Sequence, residues 1–171
     1  MKPTWSLRRL RAVDGAQIDG LADVLIDCVE GGASVSFMHP LARGHTLRHP
    51  APERHRALLI AEDARGVCGT VQLVLEQPEN QPHRAELSKM LVHRRARRQG
   101  LGAALMQAAE DTARECGKTL LVLDTASADA ERLYERQGWR RVGVIPDFAL
   151  LPHGGLCATT IFYRRLDVGT G

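Results

Sequence analysis

Apolar positions along the chain follow two spacings, one typical of buried strands and one typical of amphipathic helices. The clearest change from one to the other lies within residues 86–117. A run short enough for a buried strand comes first, and its apolar members are Leu87, Met90, Leu91 and Val92. The alternation slips at Ser88 and Lys89, as it does where a strand contains a bulge. The pattern therefore predicts a bulged central strand.

A helical spacing begins shortly after this strand. Apolar or small residues recur about every four positions, at Leu101, Leu105, Ala108, Thr112 and Cys116. Polar residues fill the other side, at Gln107, Glu110, Asp111, Arg114 and Glu115. Gly117 follows and predicts the end of an amphipathic helix.

The same spacings predict the other elements. Strands are expected at 6–13, 57–61, 67–75, 120–123, 139–145 and 157–163, and helices at 18–28 and 128–137. The pair 57–61 and 67–75 reads as a hairpin, and 146–156 as a loop. Prolines leave room for only a short helix in 39–56. This order predicts an α/β fold with a mixed sheet.

Composition narrows the class of protein. A chain of 171 residues suits one domain, and a net charge of +3 does not suggest a dedicated nucleic-acid binder. The four cysteines are far apart and no apolar run reaches membrane-spanning length, so we expect a cytoplasmic protein with reduced thiols and no membrane partner. His45 and His49 lack carboxylate or cysteine companions at ligand spacing, so no metal is expected.

The turn between strand and helix, residues 97–102, is a candidate anion site. Its glycines allow close approach of a ligand, and N–H groups at a helix start attract phosphate. Four arginines, Arg94, Arg95, Arg97 and Arg98, add positive charge. The alternative is a solvated basic loop before an ordinary helix.

Strand, R-x-x-G-x-G turn and helix together resemble the coenzyme-binding core of the GNAT N-acetyltransferase superfamily. Residues 31–38, 84–90 and 133–139 are similar to one subgroup, the tabtoxin resistance acetyltransferases. The resemblance runs over most of the chain and is weakest between 38 and 57. It implies one GNAT domain over 1–171 with a disordered tail at 168–171. The implied fold is a mixed, mostly antiparallel sheet of about seven strands, splayed at its centre and flanked by about four helices.

The resemblance also implies acetyl-CoA as co-substrate. The turn's backbone amides are expected to hold the pyrophosphate, and backbone groups of the central strand to pair with the pantetheine arm. The implied coenzyme-binding residues are Met90, Leu91, Val92, Arg97, Arg98, Gln99, Gly100, Leu101, Gly102, Ala103 and Ser127.

Catalytic and acceptor-binding roles follow from the same resemblance. Tyr134 is expected to protonate the departing thiolate, with a half-buried structural tyrosine as the alternative. Glu86 and Asp124 compete as the base; the alternatives are an exposed strand residue for Glu86 and a helix cap for Asp124. Ser34, Phe37 and Met38 are expected to contact the acceptor, although Phe and Met after a helix are often core residues.

The resemblance therefore implies an N-acetyltransferase acting on the primary amine of a small molecule through a ternary complex. A toxin, an antibiotic or an amino-acid-like metabolite would fit. The chain is expected to be a monomer or a homodimer. The first alternative is a non-catalytic acyl-CoA-binding module. The second is a nucleic-acid binder, which an aromatic content of 4% disfavours.

Overall fold

Seven strands form a single mixed sheet in a computed structural model that describes residues 4–46 and 55–167. The strands are β1 (Ser6–Leu10), β2 (Arg56–Asp63), β3 (Gly66–Val74), β4 (Arg84–Val92), β5 (Leu120–Thr125), β6 (Arg140–Leu150) and β7 (Leu156–Arg165). The helices in the described ranges are α1 (Gly15–Glu30), α2 (Arg43–Thr46), α3 (Leu101–Glu115) and α4 (Ala128–Arg136), with a 3-10 turn at Arg94–Ala96.

The strand order is β1-β2-β3-β4-β5-β7-β6, and every neighbouring pair is antiparallel except β4 and β5. That parallel pair is in register only from Arg84 opposite Leu120 to Glu86 opposite Val122. Beyond these residues the two strands diverge. The predicted fold, a mostly antiparallel sheet with splayed central strands, is confirmed.

Helices cover the two faces of the sheet with separate apolar clusters. One cluster joins α3 and α4 to the sheet and includes Leu73, Leu87, Leu105, Leu121 and Phe162. The other joins α1 to the opposite face and includes Val24, Cys28, Leu58, Ile60 and Leu91. We call these the α3 face and the α1 face.

The predicted bulge in β4 is present at Lys89, whose φ is +50°. Thr70 of β3 lies opposite Leu91 and Gln72 lies opposite Ser88, so β4 carries one extra residue there. Side chains alternate along a strand, and the extra residue reverses which face they take. Leu87 accordingly packs on the α3 face and Leu91 on the α1 face.

Local sequence explains where α1 begins and ends. Asp14 accepts a hydrogen bond from the Gln17 backbone N–H at 2.8 Å, and the Gln17 side chain accepts from the Asp14 N–H at 3.0 Å. This capping box satisfies two N–H groups at the helix start. At the other end Gly32, at φ +89°, turns the chain towards residues 33–39.

Some boundaries differ from the sequence prediction. β1 ends at Leu10 rather than at residue 13. β6 continues to Leu150, so the predicted 146–156 loop shrinks to 151–155. A register irregularity between Ile145 and Ala149 accommodates Pro146 in this edge strand, where a missing backbone N–H is tolerated.

The described part of 39–56 contains the short α2, in agreement with the room left by the prolines. Residues 47–54, which include His49, and the predicted tail at 168–171 lie outside the described residues.

Candidate functional site

The gap between β4 and β5 exposes one edge of the central strand. Within the described residues, no strand pairs with the β5-facing edge of β4 beyond Glu86. Met90, Leu91 and Val92 lie along that stretch. Backbone N–H and C=O groups at an unpaired edge can bind an extended ligand as an added strand would.

The glycine turn begins α3 without a side-chain cap. Gly100 occupies the N-cap position at φ +76°, and Arg98 is also left-handed at φ +59°. Helical bonding starts when the Ala104 N–H donates to the Gly100 carbonyl at 3.1 Å. Among the described residues the N–H groups of Leu101, Gly102 and Ala103 have no acceptor. Three free N–H groups at a helix start can bind an anion.

Gly102 lies where three elements meet. A Cβ at this position would lie 3.2 Å from Leu133 Cδ2 of α4 and 3.3 Å from Met90 Cε of β4. Both distances are tighter than ordinary van der Waals contact. The glycine therefore lets α4 and the bulged strand approach the start of α3.

The arginine cluster is largely neutralised. Arg94 Nε donates to Asp27 at 2.7 Å and Arg95 pairs with Asp63 at 3.1 Å. Arg97 Nε donates to the Val92 carbonyl at 3.0 Å, which closes the loop onto the end of β4. Arg98 is exposed and makes no hydrogen bond or ion pair within the described residues. The four guanidinium groups thus do not form one free basic patch.

Tyr134, the predicted acid, is buried on the α3 face with 4% of its surface exposed. Its ring centroid lies 5.7 Å from that of Phe162 and 6.0 Å from that of Trp139, which is buried in the same cluster. Burial, and then the charge of Asp124, raise the pKa of Tyr134 to about 12. The hydroxyl is therefore protonated at neutral pH, and within the described residues it makes no hydrogen bond.

Both candidate bases project from the α1 face. Glu86 lies between the buried residues Ala85 and Leu87 of the α3 face, so its own side chain points to the other side. Asp124 follows Leu123 in the same way, and it accepts a hydrogen bond from Thr159 Oγ1 at 2.7 Å. Glu86 is exposed and has no ion-pair partner among the described residues.

Residues 33–39 form a wall on the α1 face. Cys157 Sγ lies 3.8 Å from Ser34 Oγ, and the His39 N–H donates to the Pro152 carbonyl at 2.9 Å. Phe37 is partly buried against the α1 cluster, and Met38 remains 46% exposed. The predicted acceptor residues therefore lie beside β7 and the loop that precedes it.

Lys89, for which the sequence predicted no role, reaches this wall. Its Nζ donates to the Val35 carbonyl at 2.6 Å and to Ser36 Oγ at 3.2 Å. The predicted bulge was the available signal, since a bulge re-aims the side chain that it carries.

Ser127 has a local role at the start of α4. Its hydroxyl accepts a hydrogen bond from the Ala130 N–H at 3.3 Å, as an N-cap does. Contact of Ser127 with a coenzyme stays a prediction.

Glu110 differs from its predicted position on the solvent side of α3. It is 2% exposed, and its Oε1 accepts a hydrogen bond from Trp139 Nε1 at 3.0 Å. Arg114 and Arg164 each approach its Oε2 at 3.5 Å. The spacing of residues within α3 could not predict the burial of Glu110, because its partner, Trp139, lies 29 residues further along the chain.

The described residues do not meet the requirements of a three-ligand metal site or of a membrane-spanning helix. Within residues 4–46 and 55–167, His, Cys, Asp and Glu side chains do not gather in groups of three or more that could hold a metal ion. None of the helices in these ranges has the length and apolar character needed to cross a membrane.

Comparison with known proteins places these features in a family. The family model described as the acetyltransferase (GNAT) family matches residues 25–139, which include the bulged strand, the turn and α4.

Solved structures share the fold at low identity. A GNAT superfamily phosphinothricin acetyltransferase from Sinorhizobium meliloti, in complex with acetyl-CoA, is 19% identical with a TM-score of 0.76, over 98% of this chain and 91% of that one. A GCN5-related N-acetyltransferase from Kribbella flavida is 22% identical with a TM-score of 0.74, over 95% and 98%. A ribosomal-protein-alanine N-acetyltransferase from Brucella melitensis is 21% identical with a TM-score of 0.76, over 94% and 99%. The phosphinothricin acetyltransferase and the ribosomal-protein-alanine N-acetyltransferase are named for different acceptors, so the shared fold leaves the acceptor open.

Proposed function

The chain belongs to the acetyltransferase (GNAT) family, and we propose that it transfers the acetyl group of acetyl-CoA to the primary amine of a small molecule. A toxin, an antibiotic or an amino-acid-like metabolite is the proposed kind of acceptor. Among subgroups of the family, the tabtoxin resistance acetyltransferases are the proposed relatives.

Donor binding uses the turn and the open strand edge. The free N–H groups at 101–103 receive the pyrophosphate, and Arg98 adds positive charge beside them. The pantetheine arm extends along the open edge of β4 at Met90, Leu91 and Val92. This brings the thioester to the gap between β4 and β5.

Acetyl transfer proceeds by direct attack of the amine on the thioester. An alkylammonium has a pKa of about 10, so a carboxylate, Asp124 or Glu86, accepts a proton before attack. The C–N bond forms, and the tetrahedral oxyanion is stabilised by a backbone N–H near the bulge at Met90 or Leu91. The C–S bond then breaks while Tyr134 protonates the thiolate. Over the whole reaction the ammonium loses two protons, one ending on the coenzyme A thiol and one in solvent.

One observation carries this proposal: the proton donor and the candidate bases lie on opposite faces of the sheet at the gap between β4 and β5. Tyr134 belongs to the α3 face, whereas Asp124 and Glu86 project from the α1 face. Asp124 is nevertheless close enough to act electrostatically on Tyr134. Acetyl-CoA on one side of the sheet and the acceptor amine on the other can therefore meet in the gap.

Thiol release from acetyl-CoA across a panel of primary amines tests this function. We expect turnover that falls at least about 100-fold in Tyr134→Phe, while acetyl-CoA affinity changes little. Acetyl-CoA binding without turnover of any amine would favour the non-catalytic module, and failure to bind acetyl-CoA would refute the donor assignment.

We also infer a cytoplasmic, homodimeric enzyme. The four cysteines are free thiols, as in a reducing compartment. Large apolar side chains are exposed on the edge strand β6, at Val142 and Phe148, and at the start of β7, at Leu156. They favour the homodimer over the monomer, and sedimentation equilibrium would distinguish the two states.

A further inference from the structure

Lys89 joins the acceptor wall to the bulge of the central strand. Its ammonium donates to the Val35 carbonyl at 2.6 Å and to Ser36 Oγ at 3.2 Å, and it lies 5.4 Å from the centroid of the Phe37 ring. An ammonium carries three N–H donors, so these two hydrogen bonds leave one donor available. That donor therefore lies beside residues 35–37 of the wall that borders the proposed acceptor site.

The positive charge of Lys89 lacks an ion-pair partner. Within the described residues no carboxylate lies within 4.0 Å of its Nζ. Burial lowers the pKa of Lys89, the nearby charge of Arg56 lowers it further, and Asp124 acts in the opposite direction. A half-buried cation beside another cation is costly unless an anion joins them.

A neighbouring polar residue on the α1 face, Gln72, also lacks a hydrogen-bond partner within the described residues. Gln72 lies between Val71 and Leu73 of the α3 face, so its side chain points to the α1 face, opposite Ser88. The Gln72 Oε1 atom is buried and accepts no hydrogen bond within the described residues. Buried acceptors are normally satisfied, so this atom is available to an N–H of a bound molecule.

We propose that Lys89 binds an anionic group of the acceptor, a carboxylate in the simplest case, and so selects amines that also carry negative charge. The amine then lies towards Asp124 and the anionic group towards Lys89. A cation and an anion that share one cleft without pairing with each other are complementary to a molecule that carries both charges. This inference rests on the proposed function and adds the residue that determines its acceptor class.

Pairs of acceptors test the proposal, each pair being a free amino acid and its carboxamide. We measure kcat/KM by thiol release for the wild type, Lys89→Gln and Lys89→Arg. In Lys89→Gln we expect kcat/KM to fall about 10-fold or more for carboxylates and less than about 2-fold for carboxamides, with partial recovery in Lys89→Arg. Carboxamides also alter the pKa of the amine, but comparing the two enzymes on the same acceptor cancels that effect.

Lys118→Gln is the matched control. Lys118 Nζ donates to two backbone carbonyls, Leu75 at 2.8 Å and Pro82 at 2.7 Å, and it precedes β5 at the end opposite Asp124. This variant loses the same charge and similar contacts, so it should leave the ratio of carboxylate to carboxamide turnover unchanged.

The possible outcomes distinguish a failure of this inference from a failure of the proposed acetyltransferase function. If the enzyme turns over amines but Lys89→Gln lowers kcat/KM equally for carboxylates and carboxamides, the inference is overturned. Lys89 would then only hold residues 33–39 in place. Absence of turnover with every amine would overturn the proposed function and this inference with it.

A second readout does not depend on turnover. The chain has three lysines, Lys2, Lys89 and Lys118, so lysine-selective 15N labelling resolves each side chain by NMR. With coenzyme A bound, the Lys89 signal should shift on addition of a carboxylate acceptor but not of its carboxamide. An unmoved Lys89 signal at saturating acceptor would refute the contact.

Discussion

The indole Nε1 of Trp139 donates a hydrogen bond to the buried carboxylate of Glu110 over 3.0 Å. The carboxylate belongs to α3, the helix that begins at the glycine turn, and the indole lies 6.0 Å from the ring of Tyr134. This bond therefore connects the helix of the proposed pyrophosphate site to the surroundings of the proposed acid. It also explains how a glutamate is tolerated at 2% exposure.

Glu110→Ala is expected to destabilise the protein by about 3 kcal/mol or more, because it leaves the indole N–H and the Arg164 guanidinium without their buried partner. Urea unfolding measures the loss. Asp111→Ala is the control on the same helix: its carboxylate pairs with Arg114 at 2.8 Å at an exposed position, and its loss should cost about 1 kcal/mol or less. Equal losses in the two variants would contradict the assigned role of the buried bond.

Gly102→Ala is expected to weaken acetyl-CoA binding about 10-fold or more. The added methyl group would press on Leu133 and Met90 at 3.2 Å and 3.3 Å and move the free N–H groups of the turn. Calorimetric titration with acetyl-CoA measures the effect.

Gly15→Ala is the control, since a Cβ at Gly15 meets no atom within 4 Å. The affinity of this variant for acetyl-CoA should equal that of the wild type. Unchanged binding in Gly102→Ala would argue against the turn as the coenzyme site.

Tyr134 predicts a specific dependence of stability on pH. Its folded pKa of about 12 lies above the ordinary value near 10. The unfolded tyrosine therefore ionises first, so the stabilisation from the neutral buried phenol is present below pH 10 and is lost as pH rises towards 12. Unfolding free energies at pH 8, 10 and 11 should fall more in the wild type than in Tyr134→Phe. Parallel curves would show that the phenol is not shielded from solvent.

The two carboxylates are expected to differ in importance. Asp124 accepts the Thr159 hydroxyl and acts electrostatically on Tyr134 and Lys89, whereas Glu86 is exposed and makes no polar side-chain contact within the described residues. We therefore predict that Asp124→Asn lowers kcat/KM about 100-fold and more than Glu86→Gln does. A larger loss in Glu86→Gln would reverse the assignment.

The pH profile of Asp124→Asn distinguishes a base from a purely electrostatic role. If Asp124 removes the amine proton, the variant should recover activity as pH approaches the amine pKa of about 10, because solution then deprotonates the acceptor. A loss that stays constant across pH would indicate that Asp124 only attracts a cationic acceptor.

Most local structure around the candidate site could be predicted from the sequence. The slip in alternation at Ser88 and Lys89 predicted the bulge, because a period of two cannot continue through an extra residue. The glycines at 100 and 102 predicted a helix start with free N–H groups. Each of these features depends on residues that are close together in the sequence.

Contacts between distant segments could not be predicted in this way. Spacing assigned Glu110 to the solvent side of α3, but the Trp139 indole buries it. The arginines at 94 and 95 read as free positive charge, but carboxylates of α1 and β2 neutralise them.

The sequence by itself determined the strand, turn and helix that point to a coenzyme, because backbone geometry there follows from glycine spacing and apolar periodicity. Only the tertiary structure decided the acceptor side: which face Glu86 and Asp124 share, and that Lys89 reaches the Val35 carbonyl across 54 positions of sequence. The physical reason is the distance in sequence over which each interaction acts. Dihedral preferences act between neighbours, whereas burial and charge depend on whichever segments the sheet brings together.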